Sequence, residues 1–230
     1  MGVHNGHRDR MRERFFRNGL STFNEIEALE LLLYYAIPQR DTNPLSHALL
    51  DHFGSLFDVL NASEQELCEV PGVGVKTAAL LKIVPEIARM SEIGQSQRLG
   101  KIERTEDAIN FLRPYFRDLR MEMVLLVCLD SAKRIICTEE LGRGTPSGVS
   151  FDIRQMVETV LKRKANSILI AHNHPDGQAM ASHEDDSTTR SIFSVLQPLG
   201  IDLYDHIIMV GDSYVSYRRS GALDLFHYRY

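Results

Sequence analysis

Cysteine is scarce in this chain of 230 residues: only Cys68, Cys128 and Cys137 are present. No two of them form a C-x-x-C pair, and the odd count argues against a disulfide framework. All three lie in or beside apolar segments, which predicts buried thiols in a reducing compartment. No apolar run reaches the about 20 residues of a bilayer span, and the polar, basic N-terminus lacks the apolar stretch of a signal peptide. No membrane partner and a cytoplasmic location are therefore expected. An excess of positive charge is missing too. Lys and Arg number 26 against 31 Asp and Glu, a formal net charge of -5, so contact with nucleic acid requires a local patch or backbone amides. Glycine (15) and proline (8) are too few for a low-complexity chain, and 43% hydrophobic residues supply enough apolar surface to offset the entropy of ordering. The length allows two modest domains.

The first ninety or so residues have the periodicity of helices. Arg8, Arg10, Arg12, Arg14 and Arg17, set against Asp9 and Glu13, form either a solvated helix face or a phosphate-seeking arm; the interspersed acids favour the first. Ile26, Leu29, Leu31, Leu32 and Leu33 make a helical stripe with Glu25, Glu27 and Glu30 between them. Pro38 to Pro44 breaks it, and short helices over 46–53 and 56–60 flank a turn at Gly54. Ser63 with Glu66 fits a capping box and opens a helix that stops at Pro71. An apolar helix follows the Gly72-Val73-Gly74 turn as far as Ile87. The polar and glycine-containing stretch after it predicts a linker, which gives domains at 1–92 and 105–230 joined by 93–104. Beyond the linker, helices are expected over 106–116, 151–164 and 184–199. Strands are expected over 121–129 and 134–137 as a hairpin, over 167–171, and over 201–210 and 213–217 as a closing hairpin.

The chemistry is concentrated in the segment from Ala171 to Asp185. In an extended backbone, residues two apart face the same side, so His172 and His174 at the exit of the 167–171 strand can aim their imidazoles at one point. Pro175 and Gly177 favour a turn back over the strand end. Asp185, in the first turn of the next helix, can supply a third ligand. Two neutral imidazoles, a carboxylate and an open position make the arrangement of catalytic zinc. Alone, Ser182 to Asp185 fits a capping box and an H-x-H pair is only a polar turn. Together, at this spacing, they point to metal. Ser182 can cap the helix while Asp185 binds.

H-x-H, seven residues, Ser, two residues, Asp resembles the JAMM (MPN+) signature of zinc-dependent hydrolases, with His172, His174, Ser182 and Asp185 in register. The variant H-N-H-P-x-G, with Tyr204-Asp205-His206-Ile207-Ile208 downstream, resembles the bacterial RadC family, historically labelled DNA repair proteins. Arg12-Glu13-Arg14, Leu29 to Leu33, Phe53-Gly54-Ser55-Leu56 and the Gly72-Val73-Gly74 turn extend the likeness over almost the whole chain. It implies an α + α/β protein: an all-helical helix-hairpin-helix domain, then a JAMM/MPN-like (cytidine-deaminase-like) α/β domain with a mixed sheet. It also implies one Zn²⁺ per chain held by His172, His174 and Asp185, lowering the pKa of a water towards about 7. The glutamate of E-x-x-x-x-G-T falls on Glu139, five residues before Gly144-Thr145, as the general base. Adjacent Glu140 is the alternative, although on a regular strand it faces the other way. Ser182 donates a hydrogen bond to the developing oxyanion. The chain departs from the pattern at Asp176 (for a small Ser), at Gln178 to Ala181 (without the usual prolines) and at Pro146 (for an apolar residue), and no ligand is lost.

His206 is either a satisfied core histidine or, with Asp205, a partner that orients a ligand. His183 is expected to face solvent. His4, His7, His47, His52 and His227 show no partner spacing. Pro71-Gly72-Val73-Gly74-Val75-Lys76-Thr77-Ala78 resembles a helix-hairpin-helix turn, in which Gly72 and Gly74 let the backbone approach a phosphate. Free N–H groups at Thr77 and its neighbours would face that phosphate, with Lys76 as counter-charge. Such contacts are independent of base sequence. Glu64, Glu66 and Glu69 nearby make the DNA interaction weak and salt-sensitive. The expected function is a zinc-dependent hydrolase of metallopeptidase type, acting on a protein or peptide and associated with DNA repair or recombination. A non-catalytic DNA-bound adaptor with a structural metal, or a metal-dependent nuclease, are the alternatives.

Overall fold

A computed structural model describes residues 3–144, 151–175, 177 and 179–227. Thr145, Pro146, Asp176 and Gln178, singled out above, lie outside them. The chain divides into two compact units, Met1–Ala88 and Arg89–Tyr230.

The first unit is helical: α1 (Val3–Asn18), α2 (Glu25–Ala36), α3 (Asn43–Phe53), α4 (Leu56–Asn61), α5 (Glu64–Glu69) and the start of α6 (Val75–Ser96). Local chemistry sets the helix starts. Asn24 and Glu27 form a capping box on α2, Ser63 and Glu66 form one on α5, and the Ser55 hydroxyl caps α4. Pro44 sits in the first turn of α3, where its missing N–H costs nothing, so the helix begins at Asn43, before the expected 46. Leu29 and Leu33 of α2 meet Leu49, Val59, Leu67, Ala78 and Leu81 in one core. Val70 and Val73 of the turn after α5 are buried in that core.

The stretch 93–104 is not the linker expected from its composition. α6 continues to Ser96, a 3-10 turn covers Gln97–Leu99, and Gly100 closes it in the left-handed conformation. Gly94 is accommodated within the helix while Ile93 packs on the core of the second unit and Ile102 is fully buried there. Lys101 bridges to Arg134, and Ile102 N–H donates to Lys133 O. Two isolated isoleucines anchor a segment whose average composition is that of a loop.

The second unit continues with α7 (Thr105–Phe116), β1 (Met123–Leu129), β2 (Ile135–Arg143), α8 (Ile153–Arg163), β3 (Ser167–Asn173), α9 (His183–Leu196), β4 (Asp202–Val210), β5 (Ser213–Ser216) and α10 (Asp224–His227). The sheet order is β2-β1-β3-β4-β5. Only the β3–β4 pair is parallel, so the sheet is mixed. Ala108, Phe111, Leu112 and Tyr115 of α7 cover one face, against Leu125, Val127, Leu169 and Ala171. Met156 and Val160 of α8 with Ile192, Phe193 and Leu196 of α9 cover the other, against Val124, Leu126, Ile168 and Ile170. Burial on both faces is why β1 and β3 read as continuous apolar runs. β2 is an edge strand, half-exposed and carrying Glu139, Glu140 and Arg143, and it extends six residues beyond the expected end at Cys137. No helix among the described residues is long and apolar enough to cross a membrane.

Candidate metal centre

β3 runs two residues past its apolar stretch, taking His172 and Asn173 into the sheet. His174 N–H then donates to Met209 O, which keeps the backbone extended one residue further. The pleat places His172 and His174 on one side, with their Nε2 atoms 3.0 Å apart. Asn173 points the opposite way. Its Oδ1 accepts from Met123 N–H at 2.9 Å and its Nδ2 donates to Met121 O at 3.1 Å, binding the end of β3 to the start of β1. At Gly177 the returning loop passes so close to His174 that an added Cβ would lie 2.7 Å from the His174 Cβ.

Asp185 comes from the start of α9. Ser182 is the N-cap: its hydroxyl accepts from Asp185 N–H and donates to Asp185 Oδ2 at 2.7 Å, while its own N–H donates to the same oxygen at 2.7 Å. The capping box turns the carboxylate towards the histidines, with Oδ1 2.9 Å from His172 Nε2 and Oδ2 3.6 Å from His174 Nε2. Ligand atoms of His172, His174 and Asp185 all lie within 4.8 Å of one another. Tetrahedral ligands at 2.0–2.1 Å from a zinc ion are about 3.3 Å apart; His172 Nε2 is 3.0 Å from His174 Nε2 and 2.9 Å from Asp185 Oδ1, and the 3.6 Å approach to His174 is made by the other carboxylate oxygen. The donor set and its spacing fit a small divalent cation.

Behind this cluster lies His206 of β4, on the same face of the sheet. Its Nε2 is 2.9 Å from His172 Nδ1, and its Nδ1 is 2.5 Å from the Thr189 hydroxyl. The ring stacks on Tyr217, whose hydroxyl donates to Asp186. Complete burial lowers the His206 pKa to about 3, the neighbouring His172 adding to the effect. Of the two candidates for orienting a ligand, His206 makes the contact. Asp205 instead accepts from Ser216 Oγ and Arg218 N–H, fastening β4 to the turn after β5, and burial pushes its carboxyl up.

Glu139 pairs across the strands with Leu126, which pairs with Ile170, so Glu139 shares the His172 face and lies level with a position two residues before it. Its carboxylate is engaged: Oε1 accepts from Arg163 at 3.0 and 3.3 Å and Oε2 from Thr159 at 3.3 Å, both on α8. It is not in the group of converging ligand atoms. Glu140 is opposite Leu125, on the other face, and pairs with Arg143. His183 is exposed, as expected.

In the first unit Gly72 takes a φ of +98°, which favours glycine, and a Cβ at Gly74 would meet nothing within 4 Å. Lys76 is exposed. Thr77 is a correction: it is buried and its N–H donates to Gly74 O, so that N–H is not free for a phosphate. Two of the arginines in the basic arm, Arg8 and Arg14, are structural, while Arg12 makes an exposed pair one turn along its own helix. Arg8 donates to the carbonyls of Ile37, Pro38 and Arg40, Arg12 pairs with Asp9, and Arg14 pairs with Glu27 over the Phe23 ring. His7, expected to have no partner, meets Glu30, which is buried and not on a solvated face. Among the cysteines only Cys128 is buried; Cys137 is half-buried opposite it on β2, and Cys68 is exposed because α5 turns it outward.

Sequence reasoning missed Asn173 and Thr189. Thr189 lies one turn beyond Asp185, on the same face of α9, a spacing that could have singled it out. Asn173 is the middle residue of H-x-H, and nothing local distinguishes it from a polar turn residue.

A family model described as RadC-like JAB domain matches residues 102–222, and one described as UPF0758 N-terminal matches residues 4–79. A UPF0758 protein of Fusobacterium nucleatum is 34% identical over 225 residues, covering 95% of this chain and 97% of its own length. A UPF0758 protein of Ruegeria pomeroyi is 32% identical over 217 residues, covering 94% and 97%. With the metal-ligand cluster inside the matched domain and the likeness running from end to end, the chain belongs to the RadC-like JAB domain family.

Proposed function

We propose that this protein is a zinc-dependent hydrolase whose centre is His172, His174 and Asp185, acting on a peptide or isopeptide bond. The observation that carries the reading is the convergence of two imidazole nitrogens and a carboxylate at the separations expected around one ion. When bound there, zinc supplies Lewis acidity, which lowers the pKa of water towards neutrality. His172 and His174 hold the centre from the strand, and Asp185 closes it from the helix. Ser182 fixes the Asp185 carboxylate through its N–H, and its hydroxyl becomes an oxyanion donor when it turns from that carboxylate to a substrate. Glu139 is the general base on the same face of the sheet, exchanging its Arg163 contact for the attacking water.

That Glu139–Arg163 pair is also the specific observation favouring a second reading, in which the metal only braces β3 against α9 and nothing turns over. Glu139→Gln separates the two. As a base, the variant retains about one zinc per chain and loses hydrolysis of peptide and isopeptide substrates. Equal turnover by variant and parent removes Glu139 from the chemistry. His172→Ala tests the centre itself: zinc content falls sharply, and a full complement means the ligands are misassigned. In both readings the first unit associates weakly with DNA through the turn at Gly72–Gly74 and the exposed Lys76, without reading bases.

A further inference from the structure

The hydrogen bonds behind His172 have a direction, and it is set by an atom that cannot donate. The Thr189 hydroxyl lies 2.5 Å from the backbone carbonyl of Asp185, one turn earlier on α9. A carbonyl oxygen has no proton, so the hydroxyl supplies its only one to that bond. Thr189 Oγ therefore accepts at its other contact, 2.5 Å from His206 Nδ1, and that nitrogen carries the ring proton. His206 is 2% exposed, enclosed by Tyr217 and His172, with no carboxylate at either ring nitrogen, so it is the neutral form with one proton. Its Nε2 is then a bare lone pair that accepts from His172 Nδ1 at 2.9 Å. With its proton on Nδ1, His172 turns the lone pair of Nε2 towards His174 and Asp185.

We propose that Thr189 and His206 are positioning residues that fix the His172 proton on Nδ1, so that a lone pair from Nε2 faces the cation site. The inference rests on the reading of His172, His174 and Asp185 as a metal centre, and it adds how the ligand is prepared. The chain of bonds begins and ends on Asp185. Its carboxylate is a ligand, and its backbone carbonyl dictates the tautomer of the ligand opposite. An imidazole locked this way needs no proton rearrangement when an ion arrives.

The test reads protons directly, by long-range ¹H–¹⁵N correlation of the imidazoles in metal-free and zinc-loaded protein. His206 is expected to be protonated on Nδ1 and bare on Nε2 in both. Thr189→Val keeps the shape of the side chain and removes the hydroxyl. The His206 proton then moves to Nε2, where it points at His172 Nδ1, and zinc affinity measured against a competing chelator falls about 10–100-fold. Thr189→Ser restores both. A wild-type His206 protonated on Nε2 overturns the proposal, and so does a Thr189→Val protein with wild-type zinc affinity. Should Thr189→Val not fold, the wild-type tautomer alone decides. If the wild type binds no zinc, the metal reading fails, whereas the tautomer still decides the relay.

Discussion

Both units bury polar side chains, and they treat them in opposite ways. In the helical unit Glu30 accepts from Tyr34 at 2.6 Å, from Asn43 at 2.9 Å and from His7 at 3.1 Å. Arg8 beside it spends its donors on three carbonyls and lies over the Tyr34 ring. Around Glu30 and Arg8 the donors and acceptors are matched to one another. In the α/β unit the bonds through Thr189 and His206 are matched as well, until they reach His172. Beyond it, two ring nitrogens and a carboxylate converge. A buried network that closes on itself holds a fold, whereas one that ends in converging ligand atoms can also hold a cation.

The contrast is broken most severely at Glu30. Glu30→Ala strands the Tyr34 hydroxyl and the Asn43 amide, each costing about 1–3 kcal/mol, so a loss of about 3 kcal/mol is expected in denaturant unfolding. Zinc content should not change. A loss below about 1 kcal/mol would mean that α1 and α2 are held by packing and not by this network. Gly177→Ala acts on the open network alone. The new Cβ displaces His174, so zinc affinity should fall about tenfold while the melting temperature of the metal-free protein stays where it was. Undiminished affinity would show that the loop yields and the ring does not. The smallest effect is expected at Lys76, on the surface of the helical unit. Lys76→Ala should weaken DNA binding a few-fold and reduce the slope of log affinity against log salt by about 1. An unchanged slope would leave the Gly72–Gly74 turn as a packing corner, the role that buried Val70 and Val73 already give it.

The parts of the fold that were legible in the sequence are those where local periodicity and tertiary burial agree. β1 and β3 are apolar throughout because helices cover both faces, and the capping boxes at Ser63 and Ser182 mark helix starts that the structure keeps. His172, His174 and Asp185 were legible for the same reason: the two-residue period of a strand and the first turn of a helix fix where their side chains go. Elsewhere a distant partner overrides the local signal. Glu30 sits in a pattern of surface acids until His7, Tyr34 and Asn43 surround it. Residues 93–104 have the composition of a loop, but Ile93 and Ile102 dock them on the core. Glu139 is singled out by its motif, while its engagement with Arg163, 24 residues on, depends on α8 packing over β2.

Asn173 has a consequence for the durability of the centre. By tying Met121 and Met123 to the residue between the two imidazoles, it makes the bite of the pair a dimension of the sheet, as fixed as the rise of a strand. Both imidazoles thus share the lifetime of the β1–β3 seam, whereas the place of Asp185 depends on the first turn of α9 and its Ser182 cap.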